Sequence, residues 1–331
     1  LPAQQKNEEH PMKTLTKTLM AATLLTAVAG WHAPVAHAQT IPVIVKDTTS
    51  QYWQIVLAGA REAGKELHIK VPELGAQSEA DISGQITALE NAAAENPAAI
   101  VIAPTQFTAL GAPITAVAAN IKVIGIDSAA NTTAWTSFLS TNNVTGGKVA
   151  ADALAAGIIA KTGKAAGEVA IITSLPGVGS LDQRADGFKA EIAAKYPGIK
   201  IIANRIADGQ PTTGLNIMTD LMTAHPHLVG VFASNLIMIE GASQALSESG
   251  NKTLTLVGFD SDKNLVANIK SGVIYALIVQ DPYRMGFEGV EIALKASKGE
   301  AVPKSIDTGV TAITAANIDT PRAQALLNPK V

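Results

Sequence analysis

Short, unbroken apolar runs alternate with longer segments of helical periodicity along almost the whole of this chain, and that alternation limits the available folds. Runs at 42–45, 69–71, 99–103, 122–126, 137–139, 168–173, 200–205, 229–232, 253–258 and 273–279 read as strands. Between them, stretches such as 53–67, 81–96 and 146–161 repeat apolar residues at helical spacing. Strands that are apolar on both faces need cover on both faces, and helices interleaved with parallel strands supply it. The expected fold is therefore α/β, with parallel sheets flanked by helices. A chain of 331 residues exceeds a typical single domain, so two are expected.

The cores must be aliphatic, because 47% of residues are hydrophobic but only 4% aromatic. A formal charge of −3 gives no electrostatic footprint for a nucleic-acid partner. The absence of cysteine excludes a thiol nucleophile, thiolate metal sites and a disulfide framework. Near the N-terminus, Lys13 and Lys17 flank a short basic segment, an apolar run follows over 19–30, and Ala36-His37-Ala38 has the small-x-small form of a cleavage site. This pattern predicts an exported protein cleaved after Ala38, with 1–38 comprising an upstream extension and a signal peptide. The apolar run is too short to read as a membrane anchor.

The stretch 254–286 carries the most specific chemistry. An apolar strand ends Val257-Gly258-Phe259-Asp260, a helix follows, and a second strand runs into Gln280, where Pro282 stops its continuation. An acid and an amide thus stand at the carboxyl ends of neighbouring strands, where open α/β sheets bind ligands. Other strand ends repeat the theme. The first strand leads through Lys46 and Ser50 to Tyr52-Trp53 at a helix start, and the fourth ends Ile126-Asp127-Ser128. A later helix carries Arg184-Ala185-Asp186-Gly187-Phe188, and the strand over 229–232 leads to Asn235. Aromatic faces suit the C–H faces of sugars, carboxylates accept from hydroxyls, and Arg, Asn and Gln donate to them. Each feature has a plainer reading: Tyr52-Trp53 as a hydrophobic plug, Lys46 as a solvated strand end, Arg184 as a surface ion-pair partner, Asp127 as a turn residue.

Taken in order, Asp127, Arg184, Asn235, Asp260 and Gln280 resemble the ribose-binding branch of the bacterial periplasmic sugar-binding proteins, over roughly 41–309. That resemblance implies two similar Rossmann-like lobes joined by a multi-crossing hinge. The N-terminal lobe would comprise 39–141 with 280–308, and the C-terminal lobe 142–279 with 309–331. It further implies a monomer without cofactor or metal that binds a small neutral sugar or polyol and delivers it to an inner-membrane ABC permease in the periplasm. The implied ligand-binding residues are Lys46, Ser50, Tyr52, Trp53, Asp127, Ser128, Arg184, Asn235, Asp260 and Gln280. The sequence departs from ribose binders at Ala103, Ser128 and Gly209, where Asn, Arg and an aromatic are usual, so ribose itself is not the expected ligand. Lys46 and Arg184 would also suit a sugar acid.

Two other functions fit parts of the pattern. A chemoreceptor-linked protein that binds a signalling ligand would share every feature above. A carbohydrate-active enzyme could use Asp127 and Asp260 as a carboxylate pair. Against catalysis, His225-Pro226-His227 lacks a nearby acidic third ligand, and no G-x-S-x-G elbow occurs. The Gly177-Val178-Gly179 turn lacks the third glycine of a dinucleotide loop.

Overall fold

The computed structural model describes residues 39–329, so the leader and the cleavage point after Ala38 lie outside the described residues. The chain begins with β1 (Val43–Asp47), α1 (Gln51–Glu66), β2 (Glu73–Ala76), α2 (Ile82–Ala94), β3 (Ala99–Ile102), α3 (Gly111–Ala118), β4 (Lys122–Ile126) and β5 (Ser137–Ser140). It continues with α4 (Asn143–Thr162), β6 (Gly167–Thr173), α5 (Gly179–Lys195), β7 (Ile199–Ile206), α6 (Pro211–Ala224), β8 (Leu228–Ala233), α7 (Leu236–Ser249), β9 (Thr255–Phe259), α8 (Lys263–Lys270) and β10 (Ala276–Val279). It closes with α9 (Pro282–Ser297), β11 (Ser305–Asp307), β12 (Thr311–Thr314) and α10 (Pro321–Leu327).

These strands form two sheets of the same design. The first has the order β2-β1-β3-β4-β5-β11 and the second β7-β6-β8-β9-β10-β12. Pairing is parallel except at the edge of the second sheet, where β12 runs antiparallel to β10. The repeated order makes two α/β lobes, each reversing direction beside its first strand, where ligand crevices form. The strands β1, β3, β9 and β10 are buried along their whole length, as their unbroken apolar runs require.

The expected strand at 69–71 is displaced. Lys70 makes only an isolated bridge to Thr40, and β2 begins after Pro72. Proline has no N–H to give a ladder, but its carbonyl accepts from Val43 N at 2.9 Å, so the edge strand resumes beyond it. The strands β11 and β12 are absent from the sequence-based expectation; β11 is three residues long and mostly polar-exposed, which leaves no apolar pattern to read.

The chain passes between the sheets at 141–142, 280–281 and 308–310. Two of these strands of backbone are tied side by side: Thr308 N donates to Ser140 O at 3.0 Å, and Asn142 N to Asp307 Oδ1 at 3.1 Å. After the middle crossing, α9 packs against α1. At their contact a β-carbon on Gly286 would collide with the Val56 carbonyl, so this close approach needs glycine. It fixes the start of α1, with Tyr52 and Trp53, against the segment that follows Gln280.

Candidate ligand-binding site

The carboxyl ends of the two sheets enclose a small cavity between the lobes. On the first lobe's side, Lys46 from β1 reaches Asp127 just past β4, with Nζ 2.9 Å from Oδ2 and 2.7 Å from Ser128 Oγ. Tyr52 donates its hydroxyl to Asp127 Oδ1 at 2.8 Å, and Ser128 donates to Oδ2 at 2.8 Å. Burial pushes the Asp127 carboxyl up, but Lys46 and Arg184, with the hydrogen bonds from Lys46 and Ser128, bring it below the ordinary aspartate range. The same surroundings push the Tyr52 phenol well up, through burial first and the neighbouring carboxylates second. Tyr52 and Trp53 pack edge to face with ring centroids 4.8 Å apart, and Lys46 Nζ lies 5.4 Å from the Trp53 ring centroid.

On the second lobe's side, Arg184 and Phe188 lie one turn apart on α5 and so share a face. Phe188 stacks on Phe232 at 4.8 Å, Phe232 leans on Phe259 at 6.1 Å, and the Arg184 guanidinium carbon sits 3.9 Å from the Phe259 ring centroid. Arg184 Nε donates to Asn143 Oδ1 at 2.8 Å and Nη1 to the Ser234 carbonyl at 2.9 Å. Its other terminal nitrogen has no protein acceptor among the described residues. Asn235 caps α7 through Oδ1, 3.2 Å from Met238 N, and keeps its amide nitrogen for the cavity. Gln280 donates to Asp260 Oδ1 at 2.7 Å. Burial raises the Asp260 carboxyl, against the pull of Arg184 and the Gln280 bond.

Nine of the ten expected residues line this cavity: Lys46, Ser50, Tyr52, Trp53, Asp127, Arg184, Asn235, Asp260 and Gln280. Ser128 does not. It sits behind the wall, where its hydroxyl meets Lys46, Asp127 and, across the cleft, Ser180 Oγ at 2.7 Å. A second link crosses beside it, from Phe107 N to the Gly177 carbonyl at 2.8 Å, so the lobes are closed on one another. The cavity also takes in residues that sequence reasoning missed, chiefly Glu79 and Ser180. Glu79 accepts from Trp53 Nε1 at 2.7 Å, and burial raises its carboxyl although Lys46 opposes the shift. Among the described residues no group of His, Asp or Glu is placed to hold a metal ion, and no helix is long and apolar enough to cross a membrane.

The family model described as a periplasmic binding protein domain matches residues 41–301. The chain belongs to the periplasmic binding protein family. Its two-lobed architecture is the fold of that family, with the cavity between the lobes. The ribose import binding protein of Salmonella typhimurium is 31% identical over 295 residues, spanning 88% of this chain and 95% of that protein. A carbohydrate transporter solute binding protein from Agrobacterium radiobacter, solved in complex with D-arabinose, is 57% identical with a TM-score of 0.88, over 88% of this chain and 100% of that one. An ABC transporter solute binding protein from Agrobacterium vitis with bound D-fucose is 34% identical with a TM-score of 0.82, over 87% and 99%. Within this periplasmic binding protein, polar side chains from both lobes converge on one enclosed space.

Proposed function

We propose that this protein captures a neutral monosaccharide or short polyol between its lobes in the periplasm and delivers it to an inner-membrane ABC permease. One observation carries the reading. Three carboxylates, two cations, two side-chain amides and two adjacent aromatics converge from both lobes on one small cavity. A sugar offers each of these a hydroxyl or a C–H face, and burial makes every unmade bond costly, which gives specificity.

Neutrality follows from where the cations spend their charge. Lys46 is already paired with Asp127, and Arg184 is bound to Asn143 and Ser234 and lies beside Asp260. A sugar acid would therefore bring a fourth acidic group to a site whose two cations already face three carboxylates. The related proteins with D-arabinose and D-fucose support a monosaccharide of this kind. We assign ligand contacts to the nine expected residues that line the cavity, with Ser128 holding Lys46 from behind. The lobes, taken as 39–141 with 280–308 and 142–279 with 309–331, would open about the three crossings and close on the ligand; such hinge closure is general among periplasmic binding proteins.

Binding without turnover is the better fit to the carboxylate pair. Both oxygens of Asp127 already accept from protein donors, so it would have to give up those bonds to act as a nucleophile or base. The test is mass spectrometry of ligand released from the purified protein, with a thermal-shift panel of aldoses, ketoses, polyols and sugar acids on the stripped protein. A neutral sugar recovered unchanged after long incubation supports the reading; a hydrolysed or rearranged product contradicts it.

A further inference from the structure

Glu79 is the member of the cavity wall whose chemistry is least used by the protein itself. Its side chain is nine-tenths buried, Oε1 is held by the Trp53 indole, and Oε2 has no protein donor among the described residues. It stands at a boundary. Ser50, Glu79 and Ile237 line both the cavity and a second, larger space that continues the cleft between the lobes. Gly209, with φ +84°, contributes no side chain there and leaves that space open. The second space is lined by Asp47, Glu79 and Glu240 and by no lysine or arginine.

We propose that Glu79 is a specificity-determining residue whose free oxygen accepts a hydrogen bond from an exocyclic hydroxymethyl group that reaches from the bound sugar ring toward this second space. The inference rests on the sugar-binding reading above and narrows it to monosaccharides with such an arm. A buried acceptor at the boundary favours a substituent that carries a donor. A hydrogen or methyl at that ring position leaves Oε2 desolvated and unpaired. A carboxylate arm would face Glu79 and Glu240 in a space that no lysine or arginine lines.

Two matched series of neutral sugars isolate the arm, because within each the ring configuration is shared and only one substituent changes. D-arabinose, L-fucose and L-galactose carry hydrogen, methyl and hydroxymethyl; L-arabinose, D-fucose and D-galactose do the same in mirror image. D-galacturonate adds the carboxylate to the D-galactose series and L-galacturonate to its mirror image. Calorimetric titration would compare the purified wild-type protein with Glu79→Gln, which keeps an oxygen for the Trp53 indole. In the series that binds, the hydroxymethyl sugar should bind about tenfold to a hundredfold more tightly than the methyl sugar, and the galacturonate more weakly than either. Glu79→Gln should shrink the hydroxymethyl advantage about tenfold and leave the methyl sugar within about threefold of its wild-type affinity. The wild-type ranking tests the inference without any variant. Equal binding of methyl and hydroxymethyl members, a ranking unmoved by Glu79→Gln, or binding confined to sugars outside both series would overturn the role of Glu79 while leaving sugar binding intact. If no neutral sugar binds at all, both the inference and the reading beneath it fall.

Discussion

Asp127 and Asp260 occupy matching points of the two lobes. Each stands one residue past the fourth strand of its sheet, each has left-handed backbone (φ 62° and 69°), and each donates its N–H to the fifth strand, to Leu139 O at 2.9 Å and Ile278 O at 3.0 Å. Side chains other than glycine, asparagine and aspartate are rare in that conformation, and strained backbone of this kind clusters at functional sites. Their electrostatics diverge. Lys46 and the other donors overcome burial at Asp127, whereas burial prevails at Asp260.

That divergence makes Asp260→Asn informative. Asparagine tolerates the left-handed backbone and removes a carboxylate that burial disfavours, so the melting temperature of the stripped protein should hold or rise at neutral pH. Sugar affinity should fall about tenfold or more, through loss of a charged acceptor. Asp260→Ala should bind as poorly and also melt lower, by an amount corresponding to about 1 kcal/mol of backbone cost. Parallel melts and titrations of the two variants separate these effects.

Lys46→Met should destabilise the fold even without ligand. It leaves Asp127 buried with its cation gone, a loss on the order of 3 kcal/mol. Adding Asp127→Asn should restore part of that stability, because the uncompensated charge disappears. Urea denaturation of the two single variants and the double variant measures the coupling. Additive losses would show that the pair does not act as a unit.

Stability should fall as pH rises through neutrality, because of Glu240. Its carboxyl is raised to about 7, by burial first and then by Asp262, whose own carboxylate is held by the Leu265 N–H at 2.6 Å as the cap of α8. The folded protein binds this proton more tightly than the unfolded chain. The contribution is therefore complete below the ordinary glutamate value of 4.5 and is lost as pH climbs through 7. Melting temperature measured from pH 5 to pH 8 should decline in the wild type and decline less in Glu240→Gln.

Ser180→Ala should loosen closure without touching the sheets. It removes the hydroxyl that meets Ser128 across the cleft. Affinity should drop modestly, about threefold to tenfold, for one neutral hydrogen bond. The stripped protein should show a larger radius of gyration in solution scattering than the wild type. Unchanged scattering and affinity would mean that the contact does not favour the closed state.

Much of this was legible in the sequence because it is local. Strand-end acids and amides such as Asp127, Asp260 and Gln280 mark themselves by where the apolar runs stop, and the spacing of Arg184 and Phe188 places them on one helix face. What escaped depends on contacts between distant segments. Glu79 lies in a polar loop that reads as ordinary helix-capping sequence, and its importance comes from Trp53, 26 residues away, and from the space opened by Gly209 in the other lobe. The resemblance puts Ser128 among the ligand contacts; in the structure its hydroxyl meets Lys46, Asp127 and Ser180, contacts that no local pattern announces. The turn around Gly177, which lacks the third glycine of a dinucleotide loop, accepts at its carbonyl from Phe107 N of the first lobe. The strand β2 was misplaced because Pro72 interrupts its edge, a matter of ladder geometry and not of hydrophobic pattern.

The most direct measurement is calorimetric titration of the purified, unfolded-and-refolded protein with neutral monosaccharides, D-arabinose and D-fucose among them, beside their sugar acids. The account predicts one-site binding of a neutral sugar that is weakened about tenfold or more in Asp260→Asn, with no binding of a sugar acid at comparable concentration. Tighter binding of the acid, or neutral-sugar binding that is unchanged in Asp260→Asn, would contradict it.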